Sequence, residues 1–381
     1  MSTWIWAAVL LASAALTHWG AERLAKPLHK LTRQWGLTGA AGGALVALVT
    51  AGSEVGINTT SALRDVTDIG LGMSLGSNVF AVPLTVVVVY LATRKRRLGD
   101  DDEDGEDAKS DDSQGDGLQD DGLQDDGSQR DDSQGDDSQG DDSQDPAGSE
   151  DAEAHRRHVE RHVLRVSKET VTVLTLPYFG LLALVAVLTL PAPWRGLQPI
   201  DAAILLAGYA LYLTQAVKRG RGEGEDASWS KKEIALAAAG VAAMGVGAYF
   251  VVRASENVAS GLGLSEIVTG LFITALATAL PELFGAWSIA RSGQVTAATS
   301  SVIGDHAVTM TVALVPLALV GLPVENLRLF ATNLAFVGAV PALYAGFIWW
   351  GGAEKGFERW QVGALAAVVP LWAAVVYFWA L

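Results

Sequence analysis

Two glutamates carry an ionisable carboxyl group into long apolar runs. Glu54 follows Gly39-Ala-Ala-Gly-Gly and Leu45-Val-Ala-Leu-Val; Glu282 follows Leu271-Phe-Ile-Thr-Ala-Leu-Ala-Thr-Ala-Leu-Pro. An ionised carboxylate in hydrocarbon is costly unless paired or hydrated, so carboxylates at such depth face a partner or a pathway. The two share a register: Gly76 lies 22 residues after Glu54, and Gly304 lies 22 residues after Glu282. Each glycine opens a polar triplet, Gly76-Ser77-Asn78 and Gly304-Asp305-His306, and Thr50 and Thr278 stand four residues before their glutamates. Hard cations such as Ca²⁺ take several oxygens, with carboxylates supplying the charge. Glu54, Glu282 and Asp305 supply charge here, and Thr50, Thr278, Ser77 and Asn78 supply neutral oxygens. His306 has three readings: a proton carrier, a metal ligand, or a structural partner of Asp305. Pro281 removes a backbone donor, and Gly52-Ser53 loosens the first copy, which would free carbonyls for a coordination shell.

These residues must be held by membrane helices. A bilayer core takes about 20 apolar residues as helix. Ten runs come close: 4–19, 37–61, 69–92, 170–190, 200–217, 234–252, 264–289, 296–320, 329–350 and 362–381. The first lacks a basic start and a cleavage site, so it reads as a span rather than a signal peptide. The predicted fold is thus an all-α integral membrane protein of ten transmembrane helices.

The chain of 381 residues has a formal net charge of -15, but the charge is segregated. Between Gly99 and Glu153 stand 24 acidic residues against Lys109 and Arg130; elsewhere 25 basic residues outnumber 18 acidic ones. That insert repeats Asp-Asp-Ser-Gln-Gly with almost no apolar residues and cannot bury enough surface to order itself. Its sign excludes nucleic acid as a partner. Alternate connections gather the basic residues, among them Arg23/Lys26/Lys30/Arg33, Arg94-Lys95-Arg96-Arg97 and Lys218/Arg219/Arg221/Lys231/Lys232, while the others carry one each: Arg64, Arg195, Arg253 and Arg328. Basic residues stay cytoplasmic, which puts both termini outside a plasma membrane and the acidic loop in the cytoplasm. The expected divisions are 1–93 (three helices), 94–165 (disordered acidic loop), 166–217 (helices four and five), 218–233 (cytoplasmic linker) and 234–381 (second half).

Superposing Glu54 on Glu282 without gaps also matches Gly42 with Gly270, Ala47 with Ala275, Ala51 with Ala279 and Gly76 with Gly304. Each copy occupies the second and third spans of a five-span half. Because five is odd, the second half enters the membrane in the opposite sense. Two inverted five-helix repeats of this kind are the architecture of many secondary transporters, with ion sites near the midplane where the repeats meet. Gly72, Gly76 and Gly304 read as close-packing positions between helices. Glu22 and Glu256 read as interfacial residues at helix ends.

The motifs resemble a known family. Thr278-Ala-Leu-Pro-Glu282, preceded by Gly263-Leu-Ser-Glu-Ile-Val-Thr-Gly-Leu and followed by Val302-Ile-Gly-Asp-His, looks like the second alpha repeat of the calcium:cation antiporter superfamily, typified by sodium/calcium exchangers. Thr50-Ala-Gly-Ser-Glu54 with Gly72-Met-Ser-Leu-Gly-Ser-Asn-Val-Phe80 resembles the first. The resemblance implies cation exchange by alternating access. Glu54 and Glu282 then match the central glutamates, Thr50 and Thr278 the family threonine, and Ser77 the hydroxyl of Gly-Ser-Asn. The pattern is altered: Ala51 and Ala279 replace a serine, Ser53 replaces a proline, and Ala81 and Thr309 stand where the family carries Asn or Asp. Gly-Ser-Asn becomes Gly304-Asp305-His306 in the second repeat.

The expected function is therefore a membrane cation antiporter moving Ca²⁺ against Na⁺ or H⁺, with lipid and small cations as its partners and no cofactor. The rival is a non-transporting membrane protein that keeps the fold and uses the acidic loop to sense cations or dock a partner. An enzyme is disfavoured: neither a His-Glu-x-x-His run nor a Walker loop is present. The absence of Cys removes disulfides, thiolate metal sites and Cys nucleophiles. Oligomeric state is not encoded in any of these features.

Overall fold

The computed structural model describes residues 2–34, 47–48, 51–93, 164–166, 170–192, 195–219, 230–291, 295–350 and 356–381. Among them, nine helical stretches are long and apolar enough to cross a membrane. The protein is an all-α integral membrane protein. Apolar side chains such as Ile200, Leu211, Phe284 and Phe378 are two-thirds or more exposed on its outside, a surface suited to lipid rather than water.

In chain order the helices are α1 (Thr3–Gln34), α2 (Gly52–Leu63), α3 (Thr67–Thr93), α4 (Leu176–Thr189), α5 (Pro199–Arg219) and α6 (Lys231–Leu262). There follow α7 (Glu266–Val268), α8 (Ala275–Arg291), α9 (Val295–Thr309), α10 (Val315–Leu319), α11 (Leu327–Trp350) and α12 (Arg359–Val375). Wider π-helical turns, Thr170–Thr175, Thr269–Thr274 and Val376–Ala380, lead into α4 and α8 and follow α12. The expected span 37–61 is described chiefly at its end, as α2. Thr50 and the acidic insert lie outside the described residues.

Helix α1 runs on to Gln34, well past the span expected at 4–19, and two further boundaries differ from the sequence reading with a visible cause. The span expected at 234–252 continues as helix to Leu262, because the charges that suggested a loop are accommodated on its surface. Arg253 and Glu256 pair with each other at 3.1 Å, and Glu256 also binds Arg64. The helix starts at a capping box between Ser230 and Glu233 and stops at Gly263, whose φ of 67° is left-handed. Secondly, Leu164 and Arg165, expected at the end of the acidic loop, form β1 and pair antiparallel with β4 (Gly356–Phe357). A second pair joins β2 (Gly196–Leu197) to β3 (Leu322–Pro323). Each pair ties a connection of the first half to one of the second.

Helices α1 and α6 run antiparallel in close contact. A Cβ on Gly20 would lie 2.5 Å from the Gly240 carbonyl oxygen, and one on Gly240 would lie 2.6 Å from that of Gly20. Small residues let the backbones meet, which is how helices gain packing energy where lipid removes the hydrophobic drive. The other centre is α3, which is largely buried inside the protein and is therefore sheathed by its neighbours rather than by lipid. Trp372 of α12 is fully buried against Phe80 of α3 and Phe272, with ring centroids 5.1 and 4.7 Å away. Its indole N–H donates to Asn333 Oδ1 at 2.8 Å, so its one polar atom is satisfied.

Candidate cation site

Glu54 sits in the first turn of α2, which begins at Gly52. Helix starts present unpaired N–H groups and a partial positive charge, a favourable place for a carboxylate. Its side chain is 2% exposed, and Ser53 Oγ donates to Glu54 Oε2 at 2.8 Å. After α2 the chain reverses through Arg64-Asp65, where Asp65 takes a left-handed φ of 60°, and α3 then packs against α2. Glu282 is near the middle of α8, and Asp305 is on α9.

These three carboxylates converge. Glu54, Glu282 and Asp305 each offer an oxygen, and the three oxygens lie within 4.8 Å of one another. Glu54 is buried and Glu282 and Asp305 are partly so; three carboxylates at this separation repel unless protonated or bridged by a cation, and several oxygens of like charge on one point suit a hard divalent ion.

The other expected residues are placed as follows. Thr278 lies one turn before Glu282, and its hydroxyl donates to the carbonyls of Thr274 and Ala275 at 3.1 and 3.0 Å. Ser77 Oγ donates to the Ser74 carbonyl at 3.3 Å, and Asn78 Nδ2 donates to the same carbonyl at 2.7 Å. Asn78 Oδ1 is buried without a hydrogen-bond partner among the described residues. His306 is 1% exposed, stands outside the carboxylate group, and rests against Tyr178 with ring centroids 5.9 Å apart. The reading of His306 as a structural partner of Asp305 is corrected here: both its nitrogens and Asp305 Oδ1 lack hydrogen-bond partners among the described residues. The reason is helical geometry, since adjacent residues point about 100° apart.

The backbone irregularity also falls elsewhere than expected. Helix α8 runs on through Pro281. The wide turn Thr269–Thr274 precedes it, and there α3 approaches at backbone distance: a Cβ on Gly72 would lie 2.5 Å from the Ile267 carbonyl, and one on Gly76 would overlap the Leu271 carbonyl. A second break follows α9, where a 3₁₀ turn, Val312–Leu314, leads into α10. Pro316 at the start of α10 has no N–H, so the preceding carbonyls lose an α-helical partner.

Asn58 was not anticipated from the sequence. It is fully buried one turn after Glu54, and its amide donates to Ser74 Oγ at 2.9 Å and to the Ala313 carbonyl at 2.7 Å. One side chain thus fixes α2 to α3 and to the 3₁₀ turn of the other half. The signal available was its position on the same face as Glu54; its counterpart in the second repeat is Ala286, so the repeat comparison concealed it. Gly72-Met-Ser-Leu-Gly76 carries the letters of a hydrolase nucleophile elbow, but Ser74 is buried in mid-helix and holds Asn58, without the strand-to-helix turn an elbow needs.

The family described as sodium/calcium exchanger protein matches residues 5–101 and 232–381. Among curated proteins, none matches the chain in sequence. Among solved structures, the sodium-calcium exchanger NCX_Mj is similar at 18% identity with a TM-score of 0.56, covering 98% of this chain and 99% of that one. The H⁺/Ca²⁺ exchanger CAX is similar at 14% identity with a TM-score of 0.59, covering 99% of this chain and 81% of that one. At these identities the likeness is one of fold, whereas the family match takes in both glutamate repeats and most of the membrane body. This chain belongs to the sodium/calcium exchanger protein family.

Proposed function

We propose that the protein is a secondary cation antiporter that moves Ca²⁺ against Na⁺ or H⁺ by alternating access, with Glu54, Glu282 and Asp305 as the central ligands. The observation that carries this reading is the convergence of the three carboxylates, one from the first half of the chain and two from the second, within 4.8 Å. A cation held there neutralises charges contributed by both halves. Two inverted five-helix halves can rock between outward-open and inward-open states of similar energy around such a site. Membership in the exchanger family supports the same reaction class, and the likeness to both a sodium-calcium and an H⁺/Ca²⁺ exchanger leaves two driving ions to be compared.

In this reading Thr278, Ser77 and Asn78 line the site as neutral oxygens, and Thr50 does so from the run before α2. Both termini lie outside the plasma membrane, and the acidic segment lies in the cytoplasm, as the loop charges require. The test is ⁴⁵Ca²⁺ uptake into proteoliposomes of the full chain under an imposed Na⁺ gradient or pH gradient. Uptake driven by either gradient and abolished by Glu54→Gln with Glu282→Gln is expected. Ca²⁺ binding without flux in either gradient would replace antiport with the sensing role.

A further inference from the structure

The carboxylate group is more exposed on one side than on the other. Along one face of α9, at four-residue steps, Ser301 is exposed, Asp305 partly exposed and Thr309 fully buried. Along α8, Thr278 is buried, whereas Glu282 and Gly285 are partly exposed. Exposure therefore grows toward the end of α8 and the start of α9. It vanishes in the opposite direction, where Glu54, Asn58 and Ser61 share one face of α2 and are all buried. The site is open on the first side and closed on the side of the α2–α3 turn.

The closed side is held by particular contacts. The Asn58 amide donates to Ser74 Oγ in its own half of the chain and to the Ala313 carbonyl in the other, so the second bond crosses between the halves. The backbone of α3 closes on the same face at Gly70, where a Cβ would lie 2.6 Å from Asn58 Oδ1 and 3.2 Å from Ser61 Oγ. Those two oxygens are buried without hydrogen-bond partners among the described residues. In a seam that is always dry they are a penalty that apolar side chains would avoid. In a seam that water enters in a second state they are solvated there.

We propose that Asn58 is a latch: its bond to the Ala313 carbonyl holds the two halves together between the carboxylates and the α2–α3 turn, and it breaks when the ion leaves on that side. Asn58 is then a positioning residue for transport, acting on the balance between the two open states rather than on the ion. This rests on the reading of the three carboxylates as the ion site. Loss of one hydrogen bond of ordinary net strength shifts such a balance about fivefold.

The chain contains no Cys, so a single introduced thiol reports access at its own position. Ser61→Cys places one on the closed side and Ser301→Cys one on the open side, each alone in the full chain in detergent, with a charged methanethiosulfonate as the probe. The Ser301→Cys thiol is expected to react fast and the Ser61→Cys thiol slowly. Adding Asn58→Ala should speed the Ser61→Cys reaction about fivefold or more and slow that of Ser301→Cys. Asn58→Leu, which fills the volume without donating, carries the same test where the alanine variant fails to fold. Faster reaction at both positions is loosening without a switch and overturns the latch, as does no change at either. ⁴⁵Ca²⁺ flux through the wild type is measured in parallel. Flux without the labelling contrast overturns the latch and not antiport; the contrast without flux in either gradient upholds the latch and overturns antiport.

Discussion

The side-chain amide of Asn58 donates a 2.7 Å hydrogen bond to the backbone carbonyl of Ala313, 255 residues away in the chain. Asn58 stands one turn from Glu54, and Ala313 lies in the 3₁₀ turn just past the helix that carries Asp305. The bond therefore couples the first-half carboxylate to the backbone that follows a second-half one. Asn58→Ala removes two buried donors and orphans the Ala313 carbonyl, at about 1–3 kcal/mol for each group left unpaired. A fall in melting temperature is expected, together with weaker cation binding. A variant as stable as the wild type would show that the bond positions nothing.

Charge removal in the carboxylate group has a different signature. Glu54→Gln, Glu282→Gln and Asp305→Asn keep size and shape while lowering the negative charge. Each should weaken Ca²⁺ binding by about tenfold or more, equivalent to ~1.4 kcal/mol, while the melting temperature without cation stays level or rises as repulsion among the neighbouring acids is relieved. Calorimetry paired with thermal unfolding reads both. Binding indifferent to all three substitutions would remove the site.

Backbone contact between α3 and the turn before α8 makes Gly76 intolerant of any side chain. The added methyl of Gly76→Ala would meet the Leu271 carbonyl and the Ala275 Cβ, and overpacking of this kind costs about 1–3 kcal/mol. Gly180 on α4 has nothing within 4 Å of its missing Cβ. Gly180→Ala should be neutral or stabilising by up to ~1 kcal/mol through helix propensity. Thermal unfolding of the two variants side by side checks the contrast.

The Arg64–Glu256 pair is bidentate, with both bonds at 2.8 Å, and joins the end of α2 to α6. Both side chains are partly exposed, and Arg253 remains to neutralise Glu256. Arg64→Ala should therefore cost only about 1 kcal/mol or less. A loss well above that, measured by thermal unfolding at low and high salt, would mean that α2 depends on this contact for its place.

How much was legible in the chain varies by residue. Glu54 and Glu282 could be found because a carboxylate in an apolar run is expensive and because the repeat places them in one register. Asp305 stands in the span that follows Glu282, and the structure brings its carboxylate within 4.8 Å of theirs. His306 could not be assigned from its neighbour: sequence adjacency on a helix implies divergence, and only the packing of α4 shows that it faces Tyr178. Asn58 was missed although it shares a face with Glu54, because the second repeat has Ala286 at that register and because one of its two partners is a backbone carbonyl 255 residues away.

The repeat register likewise says where the two copies correspond, not where they differ. Position 83 in the first copy is matched by position 311 in the second. Helix α3 continues through Pro83, while the chain leaves helical geometry at Thr311, with φ of -134°. The same register thus yields a continuous helix in one half and a broken one in the other, decided by Pro316 and by the packing around Asn58.

Composition and periodicity alone determined a helical membrane body, because long apolar runs have few other ways to satisfy their backbone groups in lipid. They also marked Glu54 and Glu282 as acids set within apolar runs. Tertiary structure decided which of those acids meet, which hydroxyls turn back to their own helices, and which face of α9 each polar side chain takes. Those outcomes depend on the approach of helices at glycine contacts and on hydrogen bonds between residues hundreds of positions apart, information that no local pattern in the chain carries.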